Sequence, residues 1–308
     1  MEVEERDDAC DPTLLVHGWY PVSRLIRFIR ERCPPGHVDE AVQLQQWRSA
    51  HAVTMELASQ EAGHAEAVGI QALADELQPL AAAALRQPSM HRITSQVPRT
   101  WCMVEVDRMI VFQESLNLRH LAALKQRFAA VPSMHEVMAL ATGQGAGAHP
   151  PVRYAQADGD HAFASASNDL RFLDVAVMDP SAIQAYEPFG AASHAIVIYL
   201  GFSDNVISAT RVGKRIILTN GSHRAYLLRS LGIRFIPCLV TDASDGDIAD
   251  ILLPAAVKQD RDLYLRAPRP PLFKDYNDAR LTQTVSVMRK NYVLRAKLDL
   301  KRTTVPAV

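Results

Sequence analysis

The sequence has no Cys-x-x-Cys pair, no charge excess of consequence, and no apolar run near the roughly 18 residues of a membrane-spanning helix. Its four cysteines, Cys10, Cys33, Cys102 and Cys238, are scattered. That scatter argues against a disulfide framework or a zinc site, and a reducing cytoplasm is the expected location. Lys and Arg number 33 against 34 Asp and Glu, which argues against a chain devoted wholly to nucleic acid. The opening MEVEERDDACD is acidic and lacks an apolar h-region, so no signal peptide and no membrane partner are expected. No internal repeat is found. What is there is the composition of a soluble globular protein, 48% hydrophobic and 22% charged. At 308 residues it can build one large domain or two modest ones.

Residues 1–95 read as a wholly helical domain. In residues 22–32, Leu25, Ile26, Phe28 and Ile29 oppose a set of arginines, and Pro34-Pro35 stops the run. Residues 38–85 are rich in Ala, Gln and Glu, with Gly63, Gly69 and Pro79 as breaks. Residues 88–98 read as a linker. A strand is expected over 101–112 and an amphipathic helix over 117–128. Residues 132–170, with a short helix at 135–141 and the run GQGAGAHPP, read as a long mobile surface insertion. Apolar segments follow at 172–178, 195–202, 206–212 and 216–219, the last two joined by a tight turn at Gly213-Lys214. A basic C-terminal arm, 255–308, is expected to be extended. Between Lys258 and Arg302 it carries twelve Lys/Arg against five Asp/Glu, a net of +7.

The segment ILTNGSHRAYLLRSLGIRFIPCLV, 217–240, carries the chemistry. An apolar run ends at Asn220, Gly221 turns the backbone, and a helix opens on Ser222-His223-Arg224. Ser222 reads as the N-cap, and the remaining first-turn N–H groups with the helix dipole favour an anion. His223 and Arg224 add donors, Arg with a two-pronged grip on phosphate or carboxylate. Ala225, Leu227, Leu228 and Leu231 form the face that packs on the sheet. Gly232 ends the helix, and Pro237 keeps the following strand from pairing fully on both sides.

A strand followed by Gly-x-His-Arg at a helix mouth, then Gly and Pro before another strand, resembles the ParB/sulfiredoxin-like superfamily. Residues 104–124, VEVDRMIVFQESLNLRHLAAL, are similar to its opening strand, polar loop and helix, with Gln113-Glu114 in the loop. The resemblance covers roughly residues 100–242. It implies an α+β nucleotide-binding domain over 100–254 whose phosphate loop is Gly221, Ser222, His223 and Arg224. Ser222 stands where a sulfiredoxin carries its Cys, which removes thiol chemistry. The His-Arg form is closer in look to the free-serine-kinase-like branch. That branch implies a phosphotransferase acting on a small hydroxylated acceptor such as an amino acid. ATP or ADP would be the donor, Mg²⁺ an accompanying ion, and Glu114 the base. The alternative is a ParB-like regulatory or partition-type protein that binds DNA through the basic arm.

Other signals carry less. Asp242, Asp245 and Asp247 could help hold a divalent ion such as Mg²⁺, although an acidic Asp-Gly turn is the commoner explanation. The His17-Gly18 pair lacks the Gly-x-Ser-x-Gly elbow of a hydrolase, and Glu61-x-x-His64 lacks the second copy of a di-iron bundle.

Overall fold

The computed structural model describes residues 9–36, 38–87, 97–128, 131–143, 149–157, 159–167, 169–182, 190–202, 206–243 and 246–305. Along the chain these form β1 (Cys10–Val16), α1 (Val22–Arg32), α2 (Glu40–Gln60), β2 (Ile70–Ala72), α3 (Gln78–Leu85) and β3 (Arg99–Glu105). Next come β4 (Ser115–Asn117), α4 (Leu118–Lys125), α5 (Met134–Ala141), β5 (Arg153–Ala157), β6 (Asp160–Ser165), β7 (Leu170–Met178) and β8 (Ala195–Phe202). The rest are β9 (Ser208–Val212), β10 (Arg215–Asn220), α6 (Ser222–Ser230), β11 (Phe235–Asp242), α7 (Gly246–Leu252), α8 (Ala255–Gln259), β12 (Thr282–Met288) and β13 (Tyr292–Lys297). The class is mixed α+β. Contacts divide the chain into Met1–Ala146 with Asp204–Met288, and Gly147–Ser203 with Arg289–Val308.

In the first unit a five-stranded sheet runs β10-β9-β11-β3-β2, and a three-stranded one runs β12-β1-β4. Gly213, at φ +59°, makes the expected tight turn between β9 and β10. β11 lies parallel to β9 and antiparallel to β3, so it is central. Leu239 N–H donates to Ile207, which places the nitrogen of Pro237 on the same β9-facing side. Pairing with β9 begins only at Leu239, so the proline ring removes no ladder bond. α6 covers this sheet with Ala225, Leu227 and Leu228, each at most 2% exposed, as its apolar spacing requires.

Three expectations need correction. Residues 1–95 are not wholly helical. CDPTLLV forms β1, whose Leu15 and Val16 are buried, and β1 sits between β12 and β4. β2 extends the larger sheet at its edge. The local sequence offers few alternating positions there, and long-range pairing supplies what propensity does not. Second, 132–170 is not one surface insertion. Val137, Met138, Leu140 and Ala141 of α5 are buried in the main core, and Ala141 C=O accepts the N–H of Ile207. Ser133 starts α5 with a reciprocal capping box to Glu136. The Gly-rich run 144–148 lies outside the described residues.

Third, 255–288 is not an extended arm. Tyr264, Phe273 and Tyr276 are buried, and β12 pairs with β1 along its whole length, from Cys10↔Met288 to Val16↔Thr282. Arg269 is fully buried between Asp275 and Glu61, with the Trp19 ring 4.7 Å away. A basic composition therefore conceals internal ion pairs: Arg261–Asp250, Arg266–Asp262, Lys274–Glu61 and Arg280–Asp278. In the second unit β13 pairs with β6, which pairs with β5, while β7 and β8 form a separate two-stranded ribbon.

Candidate functional site

The chain leaves β10 through Gly221, which sits at φ +92° and occupies the N-cap position of α6. A side chain there would place its Cβ 2.8 Å from Ile207 Cγ1, so both conformation and space select glycine. Ser222 is the first helical residue and is buried, and no side chain caps the helix. The expected Ser222 N-cap is thereby corrected. The first intrahelical bond is Ala225 N–H to Gly221 C=O. The first-turn N–H groups have no carbonyl within the helix to satisfy them, as at any helix start.

Arg224 turns inward. Its Nη1 donates to the Leu140 carbonyl at 3.1 Å, and its Nη2 lies 3.2 Å from where a Gly221 Cβ would stand. At 8% exposure it braces the loop from beneath and ties it to the end of α5.

His223 is the hinge of the site. Its Nε2 accepts the Asn117 backbone N–H at 2.8 Å, which leaves the Nδ1 proton on a neutral ring. Burial holds its pKa at about 4, helped by the neighbouring His120 and Arg224, so the ring stays neutral near pH 7. His120 meets it edge-on, ring centres 5.1 Å apart. Asn117 is itself held on three sides. It pairs with Thr13 of β1, donates from Nδ2 to Asp11, and caps α4 by accepting His120 N–H at its Oδ1.

Three residues before Asn117 lies Glu114. Its carbonyl accepts Val16 N–H at 2.8 Å, and its carboxylate is ion-paired with Arg24 of α1. Burial raises the carboxyl pKa above its ordinary value, and the opposing pull of Arg24, then Arg32 and Arg27, does not cancel the rise. The Arg24 guanidinium lies 4.3 Å from the centre of the Tyr20 ring, and Tyr264 donates from its hydroxyl to that of Tyr20 at 3.2 Å. Tyr276 donates to the Gln113 carbonyl, and Gln113 Nε2 donates to Ser115 C=O at 2.7 Å.

Both motif halves thus stand side by side, joined by a bond across 106 residues of sequence. Sequence reasoning missed Arg24, Asn117 and the α5 carbonyl. Asn117 was visible as an N-cap ahead of LRHLAAL, whereas Arg24 is one of several arginines on α1 and carries no local signal. Of the three aspartates of the acidic turn, only Asp242 has a described side chain. Asp242 is paired with Arg211, while Asp245 and the Asp247 side chain lie outside the described residues. Among the described residues no cluster of three or more His, Cys, Asp or Glu could hold a metal ion. No helix among them is long and apolar enough to cross a membrane. Comparison with family models, curated proteins and solved structures finds no match to this chain.

Proposed function

We propose that this chain is a nucleotide-dependent phosphotransferase acting on a small hydroxylated acceptor such as an amino acid. In this reading β3, β4, α4 and the β9–β11 segment with α6 are a ParB/sulfiredoxin-like nucleotide domain. ATP or ADP places its phosphates at the mouth of α6, against the first-turn N–H groups and the positive end of the helix dipole. The single observation that carries the reading is the Asn117–His223 bond, which fastens the Gln113-Glu114 loop to that mouth.

The reading gives each residue a role. Gly221 lets the backbone approach the phosphates, and neutral His223 has an Nδ1 proton to donate. Arg224 keeps the loop in shape and adds positive potential from below. Glu114 takes the acceptor hydroxyl's proton. A carboxyl with a raised pKa is a better base near neutral pH than an ordinary one. Mg²⁺, carried largely by the phosphates and water, would offset their charge.

The test combines binding with turnover. Wild-type protein should bind ATP or ADP in a calorimetric titration, with or without Mg²⁺, and Arg224→Ala should lose that binding. Glu114→Gln should bind nucleotide as wild type does and lose transfer to serine by about 10²–10⁴-fold. No binding of ATP, ADP or CTP by the wild-type protein would remove the phosphate site. Full turnover by Glu114→Gln would place the base elsewhere.

A further inference from the structure

Within the first unit a cleft of about 460 Å³ lies against α3, β2 and the start of β3. Gln78, Ala81, Ala82 and Leu85 line it, and their i, i+3, i+4, i+7 spacing makes them one face of α3. Arg99 and Trp101, alternate residues on one face of β3, line it as well. The alanines leave room that larger side chains would have filled. The cleft is separate from the mouth of α6, and none of its lining residues belongs to that site.

Two lining side chains are left without chemistry. Arg99 is half-buried, and its Nε is closed to solvent without a hydrogen-bond partner. Among the described residues no carboxylate pairs with it, and burial pulls its pKa below the ordinary guanidinium value. Trp101 is 6% exposed, and its Nε1 also lacks a partner. Both groups only donate. Native proteins rarely leave such donors unsatisfied, and the half-buried Arg99 has no counter-charge among the described residues. A compact inorganic anion would answer the charge but leave the apolar wall of α3 bare. An uncharged apolar molecule would do the reverse.

We propose that this cleft binds a small free carboxylate with an apolar body, of medium-chain fatty-acid or aryl-acid size. The carboxylate sits on Arg99, and the apolar part lies along Ala81, Ala82 and Leu85. The volume suits such a ligand, since small-molecule sites occupy about 300–1,000 Å³. The site is independent of the phosphotransferase reading.

Titration calorimetry of the full chain with octanoate tests it, with octanol and acetate as partial ligands. Octanoate should bind saturably, and octanol and acetate at least about tenfold more weakly, each lacking half of the recognition. Arg99→Met should weaken octanoate by a similar factor. Ala82→Phe, at an exposed rim position, should block the cleft without changing the melting temperature, and it decides the matter should Arg99→Met fail to fold. No saturable octanoate binding, or equal affinity in a folded Arg99→Met, overturns the proposal. So would a peptide ending in leucine that binds more tightly than octanoate, since the occupant would then be a protein C-terminus.

Discussion

Gly221 and His223 set the local limits of the site. At φ +92° any L side chain costs about 1–3 kcal/mol in backbone strain, before its Cβ meets Ile207. Gly221→Ala should therefore destabilise by at least that amount in urea unfolding, and an unchanged midpoint would contradict the geometry. His223 makes a pH prediction whose sign is fixed. Its folded pKa of about 4 lies below the ordinary 6.5, so the unfolded chain takes up the proton first. The stability of the neutral ring is complete above about pH 6.5 and is lost as pH falls toward 4. At ~1.4 kcal/mol per pKa unit the loss is at most roughly 3.5 kcal/mol. His17, buried and also held at about 4, adds a loss of the same sign. His223→Gln, which keeps an acceptor for Asn117, should remove one part of this acid sensitivity and leave the other. Equal slopes for variant and wild type between pH 6.5 and 4.5 would show that His223 does not titrate as described.

At the scale of elements, α5 is the platform on which Arg224 rests, because the Leu140 carbonyl belongs to its last turn. Its start depends on Ser133, whose hydroxyl accepts Glu136 N–H while the Glu136 carboxylate accepts the Ser133 N–H. Ser133→Ala should cost about 0.5–2 kcal/mol and, by loosening α5, weaken the proposed nucleotide binding. Stability lost with nucleotide affinity intact would mean that Arg224 holds its place without α5. How well each element could be read depended on where its stabilising contacts lie. α6, the β9–β10 turn and the stop at Gly232 follow from local spacing and glycine chemistry, and all appear where expected. β1 was missed because its order comes from β12, nearly the whole chain away. α5 was recognised as a helix but mistaken for surface. Its apolar face was visible, while the sheet that covers it is assembled from residues 99–105 and 206–242. For the site, Gly221, His223 and Glu114 were legible as residue types. The inward turn of Arg224 was not, because only packing decides which way an arginine points.

The basic C-terminal stretch shows how the whole molecule distributes its charge. Several of its cations face carboxylates within the chain, and the stretch divides between the two units at Met288. A salt-steep affinity for duplex DNA is accordingly not expected, and a binding constant that falls steeply between 50 and 200 mM salt would favour the DNA-binding alternative. The same division makes truncation informative. β12 contributes a seven-residue ladder to β1 and buries Val285 against Leu15, Leu25 and Ile29. At about 0.5–1.5 kcal/mol per hydrogen bond and ~1.5–3 kcal/mol for the valine, the loss approaches the ~5–15 kcal/mol that holds a whole domain. A chain ending at Leu281 should therefore fail to fold its first unit, visible as a lost cooperative thermal transition. A chain ending at Met288 gives up only β13, whose partner β6 belongs to the second unit. It should retain the transition and the nucleotide affinity proposed for the α6 mouth, since every residue of that site lies before Leu281. If both truncations behaved alike, the pairing of β12 with β1 would not be what joins the two ends of the chain into one core.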